Sequence, residues 1–305
     1  MRINLFILVF WGFLLVLSAS PSFSDDGEAL AMCPADETND SGPFFFHSDS
    51  PSSQGGAELT SAENAWGRFA LNSWVRYQIT VTARDGSASS RSVTEVRQTL
   101  EKIDDQSYTI QRSVSVRTGA QELVRRPELI TYNFYDRAVD HDLVSTIGSC
   151  ENIAIKGPDF PLLREVTGIS RVVPCYVRIF SRRMENRREE TKIWYSPVVF
   201  PYLLKQQSRV FVLPDDENGE ETLYRSSTTE IWKSPVDLRL GLAQDWVTST
   251  TETDATGRIR AQVTTFHSSQ IPGGISGETA IEYNQEGKEI LRSESRLLDY
   301  YAALR

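Results

Sequence analysis

Val75-Arg76-Tyr77-Gln78-Ile79-Thr80-Val81 decides the fold class of this chain. Apolar and polar residues alternate with a period of two, the spacing that places one row of a β-strand on a core and the other in water. Asp85-Gly86 then supplies turn chemistry before a second strand, Ser92 to Leu100. In a third, Tyr108, Ile110, Val114 and Val116 alternate with Thr109, Gln111, Ser113 and Ser115. Three such strands in succession make a meander with one wet face.

The pattern continues to the C-terminus. Strands are expected at Leu129 to Tyr135, Cys175 to Ser181, Thr191 to Tyr195, Leu203 to Leu213, Leu223 to Trp232, Trp246 to Glu252, Arg258 to Phe266, Glu278 to Tyr283 and Glu289 to Leu298. Between them lie turn segments such as Asp254 to Gly257 and Gln285-Glu286-Gly287. Only Phe160 to Val166 and Pro235 to Leu242 suit short helices. The fold class is therefore mainly β: a large curved antiparallel sheet or incomplete barrel of long hairpins, with few short helices. One-faced alternation requires the apolar side to be covered, and a sheet curving over itself covers it.

An internal echo marks two strand exits. Thr191-Lys192-Ile193-Trp194-Tyr195-Ser196-Pro197-Val198 matches Thr229-Glu230-Ile231-Trp232-Lys233-Ser234-Pro235-Val236 at six of eight positions. Proline has no N–H for the ladder, so each strand ends at Ser-Pro. The echo reads first as a reused strand terminator, and second as a device that presents Trp194 and Trp232 at one rim of a hollow.

The organisation outside the strands is asymmetric. Met1 to Ser24 has Arg2, the apolar run Leu5 to Leu17 and small residues at Ser22 and Ser24, the pattern of a signal peptide cleaved after Ser24. The expected location is the periplasm or the extracellular space, and the chain would meet a membrane only through that segment. Cys33 lies too far past the apolar run to be a lipidated cysteine. Residues 25–65 read as an acidic, disordered leader: nine acidic residues fall between Asp25 and Glu63, with no Lys or Arg. From Asn64 onward 32 acidic residues face 31 basic ones, so the β-rich part, 66–305, is nearly neutral and has no basic patch for a nucleic acid. It is long enough to comprise two packed modules, about 66–213 and 214–305.

Three cysteines in an exported chain suggest one bridge and one remainder. Cys150 and Cys175 both lie in the β-rich part and are the expected pair, against the reading of Cys175 as an ordinary buried thiol. His47, His141 and His267 lack metal-ligand spacing, and no cofactor fingerprint, nucleophile elbow or phosphate loop occurs, so no catalytic residue, metal or cofactor is expected. The acidic run Asp215 to Glu221 and the mixed-charge run Arg182 to Glu190 read as solvated hairpin tips.

Ile193-Trp194-Tyr195-Ser196-Pro197, followed by Pro201 and Leu203-Leu204-Lys205, resembles the strand-turn-strand of the periplasmic lipoprotein-carrier (LolA/LolB-like) superfamily. The likeness spans about fifteen residues, and uncharacterised exported bacterial β-proteins share it. It implies an incomplete, strongly curved antiparallel barrel that holds acyl chains, with Tyr77, Ile79, Tyr108, Ile110 and Ile193 lining the hollow. The first functional expectation is a non-catalytic exported protein that binds an apolar ligand or another envelope component, with a lipid or lipoprotein as the expected partner. The second is a structural or adaptor protein of the envelope with a packed core, and the third an enzyme of unrecognised type.

Overall fold

The computed structural model describes residues 58–85, 88–118, 121–139, 142–148, 150–155, 171–184, 186–214, 220–233 and 246–305. Fifteen strands run through them: β1 (Trp74–Asp85), β2 (Ala88–Ile103), β3 (Ser107–Thr118), β4 (Gln121–Val124), β5 (Glu128–Asn133), β6 (Leu143–Ile147), β7 (Glu151–Ile155), β8 (Arg171–Met184), β9 (Arg187–Tyr195), β10 (Leu203–Val212), β11 (Thr222–Lys233), β12 (Trp246–Asp254), β13 (Ile259–His267), β14 (Ile275–Tyr283) and β15 (Glu289–Tyr301). All pairings are antiparallel, and the sheet runs β4-β3-β2-β1-β15-β14-β13-β12-β11-β10-β9-β8-β6, with β5 beside β3 and β7 beside β8. The mainly-β expectation is met, and the sheet is open, ending at β4 and β6. The last strand pairs with the first, Tyr77 opposite Leu297, so both halves of the β-rich stretch contribute to one sheet. The two expected helical segments, Phe160 to Val166 and Pro235 to Leu242, lie outside the described residues, as do the signal segment and most of the acidic leader.

Alternation sets which face is buried. Val75, Tyr77 and Ile79 on β1 and Val96 and Leu100 on β2 are buried, while Arg76, Glu95 and Arg97 between them are exposed. A single apolar cluster takes Val75, Tyr77, Leu100, Tyr108, Ile110 and Ile130 from the β1–β5 end of the sheet, and Phe180, Ile193 and Tyr195 from the β8–β9 end. Two ends of an open sheet share a core only if the sheet curls until its concave faces meet. Phe134 and Tyr135, just after β5, fill the seam: Tyr135 makes an edge contact with Tyr195 at 5.0 Å, and Phe134 stacks on Tyr108 at 6.4 Å. A second cluster holds Ile155, Val173, Cys175, Val177 and Trp194. It joins β7 and β8 to the other side of β9.

Part of the stretch read as leader belongs to the fold. The Thr60 hydroxyl and Glu63 carboxylate form a capping box around a 3-10 turn, Ser61–Glu63. Leu59 is buried and its N–H donates to the Tyr135 hydroxyl. Asn64, also buried, donates to the Phe134 carbonyl and accepts from the backbone N–H of Trp66 and Gly67. The acidic composition of residues 58–65 masks this because the anchor is one apolar side chain and one amide.

Candidate functional site

Residues directly opposite each other in antiparallel ladders share a face, so register traces the concave surface across the sheet. Ile79 stands opposite Ser295, which is opposite Glu278, then Thr265, Thr248 and Ile231. A parallel row runs from Ile193 through Gln206 and Thr229 to Thr250. Along these rows Ile79 and Ile193 are the apolar residues at the curled ends, Ile231 in mid-sheet packs in the second cluster, and the positions between them are polar.

Hydroxyl bonds between neighbouring strands hold the polar part together. Thr191 and Ser208 share a hydrogen bond of 2.7 Å, and Thr229 and Thr250 one of 2.8 Å. Thr248 bonds the His267 Nε2 at 2.9 Å, and Thr265 donates to the Glu278 Oε2 at 3.1 Å. From the seam, Arg137 donates to Glu189 at 3.0 Å. Thr191, Ser208 and Thr248 are buried, whereas Thr229, Thr250, Thr265, His267, Glu278, Ser293 and Ser295 are half-buried. A sheet face so populated presents half-buried hydroxyls between apolar clusters.

Burial shifts the ionisable groups of this face toward their neutral forms. Burial raises the Glu278 carboxyl above its usual range, against the bond from Thr265. Burial pushes His267 down to about 4, so its imidazole is neutral at physiological pH. Glu282, further along β14, is also raised, by burial and then by the Glu252 charge. Tyr77, whose hydroxyl donates to the Ile275 carbonyl at 2.9 Å, is raised by burial and then by Glu278.

His267 gives a pH prediction with a definite sign. Its folded-state value lies below the unfolded one, so its contribution to stability is complete above pH 6.5 and declines as the unfolded chain takes up a proton that the folded chain refuses. Between pH 7 and 5 this costs about 2 kcal/mol at 1.36 kcal/mol per unit. Urea titrations of wild type and His267→Gln should differ in slope over that window, the variant losing less; equal slopes would refute the assignment.

The sequence-derived lining residues separate into two groups. Tyr77, Tyr108, Ile110 and Ile193 meet in the shared core, with Ile79 buried beside them on β1. Trp194 belongs to the second cluster, where its indole N–H donates to Glu151 at 2.6 Å and Lys192 and Lys205 lie over its ring. Trp232 lies on β11 with its backbone opposite Val247. The first copy of their shared motif does end a strand, β9 at Tyr195; the Ser-Pro of the second, Ser234-Pro235, lies outside the described residues.

The expected Cys150–Cys175 bridge is corrected. Cys175 is a free, fully buried thiol that donates to the Val173 carbonyl, and burial pushes it up to about 12. Register explains why. Glu151, not Cys150, stands opposite Cys175, and a one-residue offset carries a side chain to the other face of the strand.

Sequence reasoning missed the polar track. Its signal lies in Thr248 and Thr250 of β12 with Thr265 and His267 of β13, residues that no catalytic or metal motif singles out. Among the described residues no three His, Cys, Asp or Glu side chains gather as a metal site. No family model matches the chain, and no curated protein matches it.

Proposed function

We propose that this is an exported, non-catalytic binding protein that holds an amphiphilic ligand of the cell envelope, a lipid or the acyl group of a lipoprotein, in the hollow of its curved sheet. One observation carries the reading: a half-buried, hydroxyl-rich stretch lies beside buried apolar residues on the same face of the curved sheet. An acyl chain gains by covering apolar surface, roughly 25 cal/mol per Å². A neutral polar head finds Thr229, Thr250 and Thr265 as donors and acceptors. With the His267 imidazole neutral at physiological pH, no imidazolium need be desolvated when the ligand enters. The export signal and the carrier-like Ile193 to Lys205 hairpin support the same reading.

A second reading, an envelope adaptor with a filled core, is favoured by the full burial of Tyr77, Tyr108, Ile110 and Ile193 against other side chains. Titration with a fluorescent fatty acid separates the two. Saturable uptake near one per chain is expected, weakened tenfold or more by Ser293→Trp, which fills the half-buried hollow between Val81 and Ala280. Folded protein that takes up no probe would leave the adaptor reading.

A further inference from the structure

We infer that the outward face of β9 and β10 carries a second binding site, for a small zwitterion whose ammonium and oxyanion lie a few bonds apart. Glu190 and Lys192 on β9 and Gln207 and Arg209 on β10 line a cavity of about 220 Å³ there. Alternation puts it on the side of the sheet away from the hollow: Thr191 and Ile193, which interleave with Glu190 and Lys192, are fully buried, and Ile193 packs in the shared core. Ordinary ligand pockets enclose about 300–1,000 Å³. This one is smaller and lined by polar and charged side chains, so it suits a compact polar molecule and not an acyl chain.

Register fixes the charge pattern. Lys192 stands opposite Gln207, and Glu190 opposite Arg209, which makes a rectangle of roughly 7 by 5 Å. The two cations therefore occupy one diagonal, and the carboxylate and the amide the other. Neighbours hold two of the four in place: Arg188 donates to the Glu190 Oε2 at 3.1 Å and to Glu221 at 2.6 Å, while Lys192 donates to Glu151 at 2.6 Å and lies over the Trp194 ring. The remaining capacity is unused. Among the described residues the Arg209 guanidinium has no acceptor, the Gln207 amide has no partner and the Glu190 Oε1 has no donor. An oxyanion between Lys192 and Arg209 would take charge-assisted bonds from both, and the planar fork of Arg209 can hold two of its oxygens at once. A lone anion would also face the Glu190 carboxylate. An ammonium on the same molecule turns that repulsion into an ion pair, with the Gln207 amide completing the ring of partners. Free α-amino acids and phosphoethanolamine head groups share this chemistry.

The site lies on the opposite face from the amphiphile, so failure of the fatty acid titration bears only on the concave face and leaves this test standing. The purified full chain is titrated with glycine, O-phosphoethanolamine, ethanolamine and inorganic phosphate, and binding is followed by the NMR shifts of the Lys192, Gln207 and Arg209 amides. Saturable one-to-one binding of glycine or O-phosphoethanolamine is expected, with ethanolamine and phosphate each at least tenfold weaker. The tighter of the two zwitterions tells whether the site prefers a carboxylate or a phosphate. Arg209 is exposed, so Arg209→Gln should fold as wild type does. Arg209→Gln and Glu190→Gln should each weaken the zwitterion at least tenfold, whereas only Arg209→Gln should weaken phosphate. No saturable shift with either zwitterion, phosphate binding as tight as the better of them, or equal affinity in wild type and Arg209→Gln would overturn the site.

Discussion

Replacing Ile193 by Ala is expected to destabilise the protein by about 3 kcal/mol, within the 2–5 kcal/mol typical of a buried isoleucine truncated to alanine. Ile193 has no exposed surface and lies in the cluster that joins the two ends of the sheet. That cluster also takes residues from β1, β3, β5 and β8, elements far apart in sequence, so a void in it cannot be closed by one strand shifting alone. Val198→Ala is the control: Val198 is 73% exposed in the loop that follows β9, and its truncation should stay within about 0.5 kcal/mol. Urea unfolding followed by fluorescence measures both. A cost for Ile193→Ala no larger than for Val198→Ala would mean that the ends do not share a core.

Gly273→Ala is the second large effect. Gly273 has φ 78°, a left-handed conformation that costs an L residue about 1–2 kcal/mol. Its added Cβ would also lie 2.8 Å from the Trp66 Nε1 and 2.9 Å from Cε2, adding an overpacking cost of about 1–3 kcal/mol. Trp66 cannot retreat freely, because it is buried in the shared core, and the Gly273 N–H donates to the Ala65 carbonyl beside it. Gly257→Ala separates the two terms: φ is 81° there, but no atom lies within 4 Å of the added Cβ. The melting temperature should fall clearly further for Gly273→Ala than for Gly257→Ala; equal falls would show that contact with Trp66 is unimportant.

The sheet was legible because its strands advertise themselves. Val75 to Val81 and Tyr108 to Val116 alternate cleanly, and β1 and β3 place those apolar rows on the concave face. The short strands β4, β6 and β7 were not legible, since β6 has almost no buried residue and β7 depends on β8 for its pairing. Leu59 and Asn64 were hidden inside an acidic stretch, although they anchor its end to Tyr135 and Phe134. The bridge was misread because spacing in sequence says nothing of which face a thiol occupies, and Cys175 faces an apolar cluster. The polar track could not be seen without register: Glu278 and Thr248 become parts of one surface only when β12, β13 and β14 are aligned.

Those aligned strands carry the central claim, that the concave face holds an amphiphile. Its most direct test is mass spectrometry of an organic extract of the native protein purified from its envelope without detergent. The account predicts one lipid or acyl species per chain, recovered from wild type and missing from folded Ser293→Trp. A well-folded wild-type protein that yields no such species would contradict it.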